Sequence, residues 1–463
     1  MIRLLLLVVF GLLLVGCQPA EEPMTDTGEV SEAVEPEEVL VEPNGDPQPE
    51  EAIPEEVMDE MDPQEADPVA LSQGNREFAL AAFQRLVDEE DVDDNLLISP
   101  HSILSALAMV YAGAEGETRS QMRAVLRFAL DEPALHRAFQ ALDEALAERA
   151  QIERDDDARG FELSVVNRLW GAHDEGFLPS YLELVERHYG AGIERVDFES
   201  DPDAARLQIN AWVEDQTRDR IQNLLPSGSL NEDTRMVLVN AIYFLASWQD
   251  AFEEDQTRTE SFQRLDGSSV DARLMHRTGR YPAFIDDQTI AVSIPYLGRE
   301  VSLLALKPAN AEADFETWLA GLDRERFDTA AAGLAAQRVA LAFPRFTGDS
   351  SFRLARLLRQ MGMTEAFSRT EANFERMNGV GPGVMGRSLY VDEVFHKTFI
   401  DLDEAGTEAA AATAVVMMRL TAMPVEDDPI TIRFDRPFIY AIYDHPTNTI
   451  LFLGRVLDPG QGS

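Results

Sequence analysis

Chemistry on this chain would fall on a few peptide bonds near its C-terminus, and it would be done to the protein rather than by it. The segment Met418-Arg419-Leu420-Thr421 offers side chains that protease specificity pockets accept. Leu suits chymotrypsin-like, elastase-like or subtilisin-like proteases, and Arg suits trypsin-like ones. The chain's own catalytic means are slight. Serine and histidine are both present, but no G-x-S-x-G turn raises a nucleophile. None of the seven histidines stands in an H-E-x-x-H zinc pattern. Cys17 is the single cysteine. The reading is therefore no enzyme, no cofactor and no metal.

The element that must present the bait is the run DLDEAGTEAAAATAVVMMRLTAMP, residues 401–424. In steps of two from Thr407 it gives Thr407, Ala409, Ala411, Thr413, Val415 and Met417, all small or apolar. A strand sets alternate residues on one face, so this set fits a packed core. The other face starts at Glu408 and continues with Ala410 and Ala412, so little obstructs entry between two existing strands. Glu404-Ala405-Gly406 ahead of it supplies a pivot, because Gly adopts backbone angles closed to other residues. Ala-rich segments otherwise favour helix. Here the β-branched, Met-rich half from Thr413 to Met418 pulls toward strand.

The N-terminal end reads as an export signal. Residues 1–17 carry one Arg, an apolar run and the ending Leu14-Val15-Gly16-Cys17. That core is shorter than the roughly 20 apolar residues of a spanning helix, although an uncleaved anchor is the alternative. The ending resembles the lipobox of bacterial lipoproteins, which implies cleavage before Cys17 and lipid on its thiol and new amino terminus. More than one acyl chain makes such a tether lasting. A lone cysteine permits no intrachain disulfide. Gln18 stands where Asp often marks inner-membrane retention, which favours the outer membrane, facing the periplasm or the cell surface.

Residues 18–70 hold 19 Asp or Glu, nine Pro and no Lys or Arg. Such a segment buries no core and extends by self-repulsion. It reads as a solvated spacer, with recruitment of a basic partner as the alternative. Beyond the signal and spacer, 65 acidic face 38 basic residues, a net charge of −27. That surface repels nucleic acid.

Residues 71–463 read as one folded domain. Asn75–Phe83 spaces its apolar residues as an amphipathic helix does. Leu96-Leu97-Ile98 is a short buried strand running into a helix that Ser99 caps and Pro100 opens, ending near Gly113. β-rich runs predict strands at Met236–Phe244, Ala291–Pro295, Val301–Leu306, Val339–Phe343, Ile430–Phe434, Phe438–Tyr443 and Thr449–Val456. Helices are expected over Asp203–Asn223 and Ser351–Met361. Without a regular βαβ alternation, the fold class is α+β with mixed sheets. Asp444-His445-Pro446-Thr447-Asn448 supplies the turn of a closing hairpin.

Several of these segments resemble one family in order and spacing. NLLISPHSI, INAWVEDQTRDRIQNLL, LVNAIYFLASWQDAF, FPRFTGDSSFRLARLLRQMGMTEAF, VDEVFHKTFIDLDEAGTEAA, FDRPFIYAI and ILFLGRV, between residues 75 and 457, are similar to the landmarks of the serpins. The resemblance implies mixed β-sheets surrounded by helices, with an exposed C-terminal reactive loop at about 404–429. It implies a monomer that inhibits serine proteases, with cysteine proteases a further class, through a covalent acyl-enzyme complex and insertion of the cut loop. By resemblance Ser99, Ser102, Asn240 and His396 fall at the family's shutter, Trp248 at its breach, and Glu404 at the hinge carboxylate. The resemblance implies that this carboxylate pairs with a cation on a neighbouring strand, which the sequence does not name. The hinge runs on through Gly406, Thr407, Glu408, Ala409, Ala410, Ala411 and Ala412. Counting seventeen from Glu404 favours Leu420–Thr421 as the reactive bond, with Arg419–Leu420 and Met418–Arg419 as alternatives. The competing reading is a non-inhibitory serpin acting as a membrane-tethered binding or chaperone module.

Overall fold

The computed structural model describes residues 67–88, 94–151, 161–384, 386–407 and 428–461. All lie in the compact unit Asp62–Ser463. Cys17, most of the spacer, Glu408–Ala412 and the bait residues Arg419, Leu420 and Thr421 lie outside the described residues. No described helix is long and apolar enough to cross a membrane.

Fifteen strands form two sheets among the described residues. In chain order they are β1 (Leu96–Ile98), β2 (Phe161–Ala172), β3 (Ile193–Val196), β4 (Met236–Ser247), β5 (Arg258–Gln263), β6 (Ser269–Ile285), β7 (Thr289–Pro295) and β8 (Val301–Pro308). The remainder are β9 (Ala335–Pro344), β10 (Phe346–Arg353), β11 (Val394–Leu402), β12 (Gly406–Thr407), β13 (Ile430–Arg433), β14 (Phe438–Asp444) and β15 (Thr449–Val456). The larger sheet runs β1-β15-β14-β8-β7-β6-β9-β13, with β5 on β6. The smaller runs β10-β11-β12-β4-β2-β3. Parallel pairs (β4–β11, β2–β3, β9–β13) sit among antiparallel ones, so the sheets are mixed as expected.

Sequence dictates the helix that supports the smaller sheet. Ser99 Oγ accepts the Ser102 amide and Pro100 occupies the first turn. Every residue of Pro100–Ala112 is buried, and each large apolar side chain among them, such as Ile103, Leu104, Leu107, Met109 and Val110, contributes about 1.5–3 kcal/mol by leaving water. The opening helix is longer than its periodic core, spanning Val69–Val87.

Two helix expectations need correcting. The helix expected over Asp203–Asn223 is Pro202–Gln216. It stops because Arg218 and Asp219 take left-handed backbone angles, which no continuing helix allows. The helix expected over Ser351–Met361 is only Ala355–Gln360. Ser351, Phe352 and Arg353 instead pair with Lys397, His396 and Phe395 as the end of β10. Cross-strand burial there overrides local propensity.

Candidate functional site

The smaller sheet carries a seam. Over Val394–Phe399, β11 pairs in parallel directly with β4, from Leu238 to Tyr243. Beyond that the two part, and β12 fills the gap, antiparallel to both. Thr407 faces Leu402 on one side and Ala246 on the other. The first residues of the small-side-chain run therefore already occupy a strand position. Gly406 is required there by space, since a Cβ would lie 2.0 Å from the Ala246 carbonyl oxygen. Its role in this state is close approach rather than a free pivot.

The gap is held by side chains from several elements. Trp248 is buried, donates its indole N–H to the Asp403 carbonyl at 2.9 Å, and stacks on Tyr296 at 4.5 Å. The phenol of Tyr296 shares a 2.7 Å hydrogen bond with the Thr407 hydroxyl. Asp403 Oδ1 accepts the amides of Ala405 and Gly406 at 2.8 and 3.1 Å, fixing the turn into β12. Burial pushes the Asp403 carboxyl above its usual range, against those two amides. Glu404 is buried as well. Its carboxylate accepts the Thr257 hydroxyl at 2.6 Å and pairs with Arg345 at 3.2 Å. Arg345 follows β9 and is the cation that the sequence left unnamed.

Below β12, a polar row crosses the closed part of the seam. Asn167 on β2, Asn240 on β4 and His396 on β11 are register partners. His396 Nε2 accepts the Ser99 amide at 3.1 Å, so Nδ1 carries the proton and donates to Asn240 Oδ1. The Asn240 amide donates to the Ser102 hydroxyl and to Asn167 Oδ1. Ser99 Oγ donates to the Leu451 carbonyl at 2.6 Å. Burial holds the His396 imidazole neutral, its pKa lowered to about 3. The four sequence-named residues Ser99, Ser102, Asn240 and His396 are thus brought together, and all are buried. Asn167, Tyr296, Thr257 and Arg345 were not found from sequence. A strand-register argument on β2 would have found Asn167; the others carry no local signal.

Chemically, this arrangement makes and breaks no bonds. It fastens two strands across a line whose first place β12 already fills. Satisfied buried polar networks favour one arrangement sharply, because each group left unpaired costs about 1–3 kcal/mol.

Comparison with known proteins gives a consistent picture. The family described as Serpin (serine protease inhibitor) matches residues 73–459. The leukocyte elastase inhibitor of Equus caballus is 36% identical over 397 residues, 84% of this chain and 99% of that protein. Antithrombin-III of Homo sapiens is 33% identical over 400 residues, 84% of this chain and 82% of that protein. Among solved structures, uncleaved ovalbumin superposes with a TM-score of 0.72 at 26% identity, covering 84% of this chain and all of that one.

Proposed function

The chain belongs to the serpin family, and from that premise we propose that it is a suicide-substrate inhibitor of serine proteases. The observation that carries this reading is the seat of Thr407 between β11 and β4. The loop base occupies the first place of a strand whose deeper places, those facing Val394–Phe399 and Leu238–Tyr243, are closed by direct β4–β11 pairing. The permissive sequence after it, Glu408-Ala409-Ala410-Ala411-Ala412, supports the same reading.

In this account the protease serine attacks the Leu420 carbonyl. The Leu420–Thr421 bond breaks, the Thr421 amine leaves, and Leu420 stays joined to the protease as an ester. The freed segment then enters the seam. Continuing the register of Thr407 sets Ala409 against Ile400 and Phe244, and Thr413 against His396 and Asn240. Seventeen residues from Glu404 to Leu420, at about 3.3 Å each, span roughly 55 Å, enough to carry the protease the length of the domain. Distorting its active site stalls release of the ester, because losing one oxyanion donor alone costs about 10²–10³ in rate. The uncut fold is the metastable one, and insertion releases the difference.

Mixing the full chain with a panel of chymotrypsin-like, elastase-like, subtilisin-like and trypsin-like proteases tests this. Mass spectrometry should find an adduct of chain and protease stable to SDS, ending at Leu420. Cleavage without any adduct across the panel contradicts the reading and favours a non-inhibitory binding module. We further propose lipid attachment at Cys17 and display outside the cytoplasm, supported by the Leu14–Cys17 ending. The mass of the mature N-terminal peptide decides it.

A further inference from the structure

Away from the seam, two stacked histidines join the helix Glu132–Arg149 to the helix Pro179–Tyr189. The rings of His136 and His188 lie 6.0 Å apart at 24°. His136 is buried, shares a 2.6 Å hydrogen bond with the Tyr189 hydroxyl through Nδ1, and sets Nε2 3.7 Å from Glu132 Oε1. His188 Nδ1 donates to Gln140 Oε1 at 2.9 Å. His136 and Gln140 stand about one turn apart on the first helix, and His188 and Tyr189 close the second. The last turn of the second helix hangs on this contact.

The rest of that helix is held differently. Its buried residues are Tyr181 and Val185, and the Tyr181 hydroxyl donates to the Met109 carbonyl at 3.0 Å, so the apolar seat lies under the earlier turns. Glu186 and Arg187 are exposed. Gly190 then breaks the helix in a left-handed turn, with φ of 59°. Directly after it comes β3, the outer strand of the smaller sheet, paired in parallel with Leu169–Ala172 of β2. The histidine contact is therefore one short turn away from a sheet edge.

The surroundings offer a counter-ion to one imidazolium only. Charge on His136 stands beside Glu132, whose carboxylate already accepts Arg119 of the helix Gly116–Val125 and Arg376 of the turn Glu375–Asn378. Asp143, on the same helix as His136, is paired with His101 at 3.2 Å. Around His188 the remaining charges are Arg137 and Arg187, both positive. The phenols of Tyr181 and Tyr189 are pushed up by burial and stay neutral. Burial, then charge on His136 and on the two arginines, lowers the His188 imidazole to about 4. A second positive charge in this stack meets repulsion without a free carboxylate to offset it.

We propose that the His136–His188 stack is an acid-operated clasp, which holds the last turn of the Pro179–Tyr189 helix and β3 in place until His188 takes up a proton. Release leaves Leu169–Ala172 of β2 without its neighbour, and a bare strand edge is open to pairing with another strand. The clasp gives the smaller sheet a different outer edge in acidic and in neutral surroundings. It does not depend on the inhibitory reading, since it concerns the sheet before any protease is met.

Hydrogen–deuterium exchange of the full chain between about pH 7 and pH 5, the range in which histidine switches, tests the clasp once the chemical effect of pH on exchange is removed. The folded imidazole is harder to protonate than the free one, so opening is favoured as pH falls from 6.5 toward 4. Opening of residues 186–196 should rise about tenfold per pH unit in that window, the response to one proton, while β14 stays protected. His188→Gln removes the titrating group, and its opening should not change with pH. His188→Lys carries the charge permanently and should open the same residues already at pH 7. A parent whose exchange ignores pH, a rise that persists in His188→Gln, or a rise shared equally by β14 overturns the clasp. If His188→Gln fails to fold, the parent's profile and His188→Lys still decide it, since a closed segment in His188→Lys at pH 7 also contradicts the proposal.

Discussion

The hydroxyl of Thr407 lies 2.7 Å from the phenol of Tyr296, and both residues are fully buried. Tyr296 in turn stacks on Trp248, whose indole N–H holds the Asp403 carbonyl. The base of the loop is therefore anchored by a chain of contacts from β12 through two aromatic rings and back to the turn that leads into β12. A residue placed in this way is already part of the sheet.

Thr407→Arg tests that commitment. An arginine at 407 would have to leave its guanidinium in the site beside Tyr296, where an unpaired charge is strongly disfavoured. The expected outcome is a substrate: the bait is still cut, but insertion is slowed and the protease escapes by hydrolysis. The ratio of SDS-stable complex to cleaved chain should fall at least about tenfold, a barrier rise of ~1.4 kcal/mol. A parental ratio would contradict the seat assigned to Thr407.

Asp403 gives a pH dependence of definite sign. Burial raises its pKa above 3.8 in the folded chain, so the fold binds this proton more tightly than the unfolded chain does. Its contribution to stability therefore falls as pH rises through the folded-state pKa. Asp403→Asn keeps an oxygen for the Ala405 and Gly406 amides and removes the charge. The variant should melt higher than the parent at pH 7, and the gap should close as pH approaches 4. A gap independent of pH would refute the assignment.

His396 has the opposite sense. Its imidazole is kept neutral with a pKa of about 3, against 6.5 for the free group. Between those values the unfolded chain takes up a proton that the folded chain refuses, so stability is full above pH 6.5 and falls as pH drops toward 3. The slope is about 1.4 kcal/mol per pH unit for one proton. Denaturant midpoints of the parent should fall steadily below pH 6.5, and His396→Gln should lose that part of the slope. An identical slope in the variant would place the titration elsewhere.

Thr413 separates the two states of the sheet. If the register of Thr407 continues, its hydroxyl arrives beside His396 and Asn240 and supplies a partner where their mutual bond has been parted. Thr413→Val should leave the melting of the intact chain unchanged and lower that of the cleaved chain, by about the 1–3 kcal/mol of an unsatisfied buried group. Equal effects on both forms would argue against that register.

The residues show which parts of this fold could be read in advance. Ser99 and Pro100 announced a capped helix, and the β-branched runs announced β4, β8, β14 and β15, because caps and alternation are local signals. The end of the helix at Gln216 was not legible, since Arg218 and Asp219 turn left-handed there and the Arg218 side chain is drawn to Glu162 of β2, 56 positions away in the chain. The same holds for Ser351–Arg353, drawn into β10 by pairing with β11. At the site, motif context named Ser99, Ser102, Asn240, His396, Trp248 and Glu404. The partners Arg345, Tyr296 and Thr257 lie 59, 111 and 147 positions from the groups they hold, and a single sequence records no pairing at such separations.

On the inhibitory reading, the intact chain is held short of its most stable sheet. Calorimetry of the full chain before and after a single cut between Met418 and Thr421 tests this most directly. The melting temperature should rise steeply on cutting, as the freed segment from Glu408 onward completes the strand that Thr407 begins. An unchanged or lower melting temperature after cutting would contradict it.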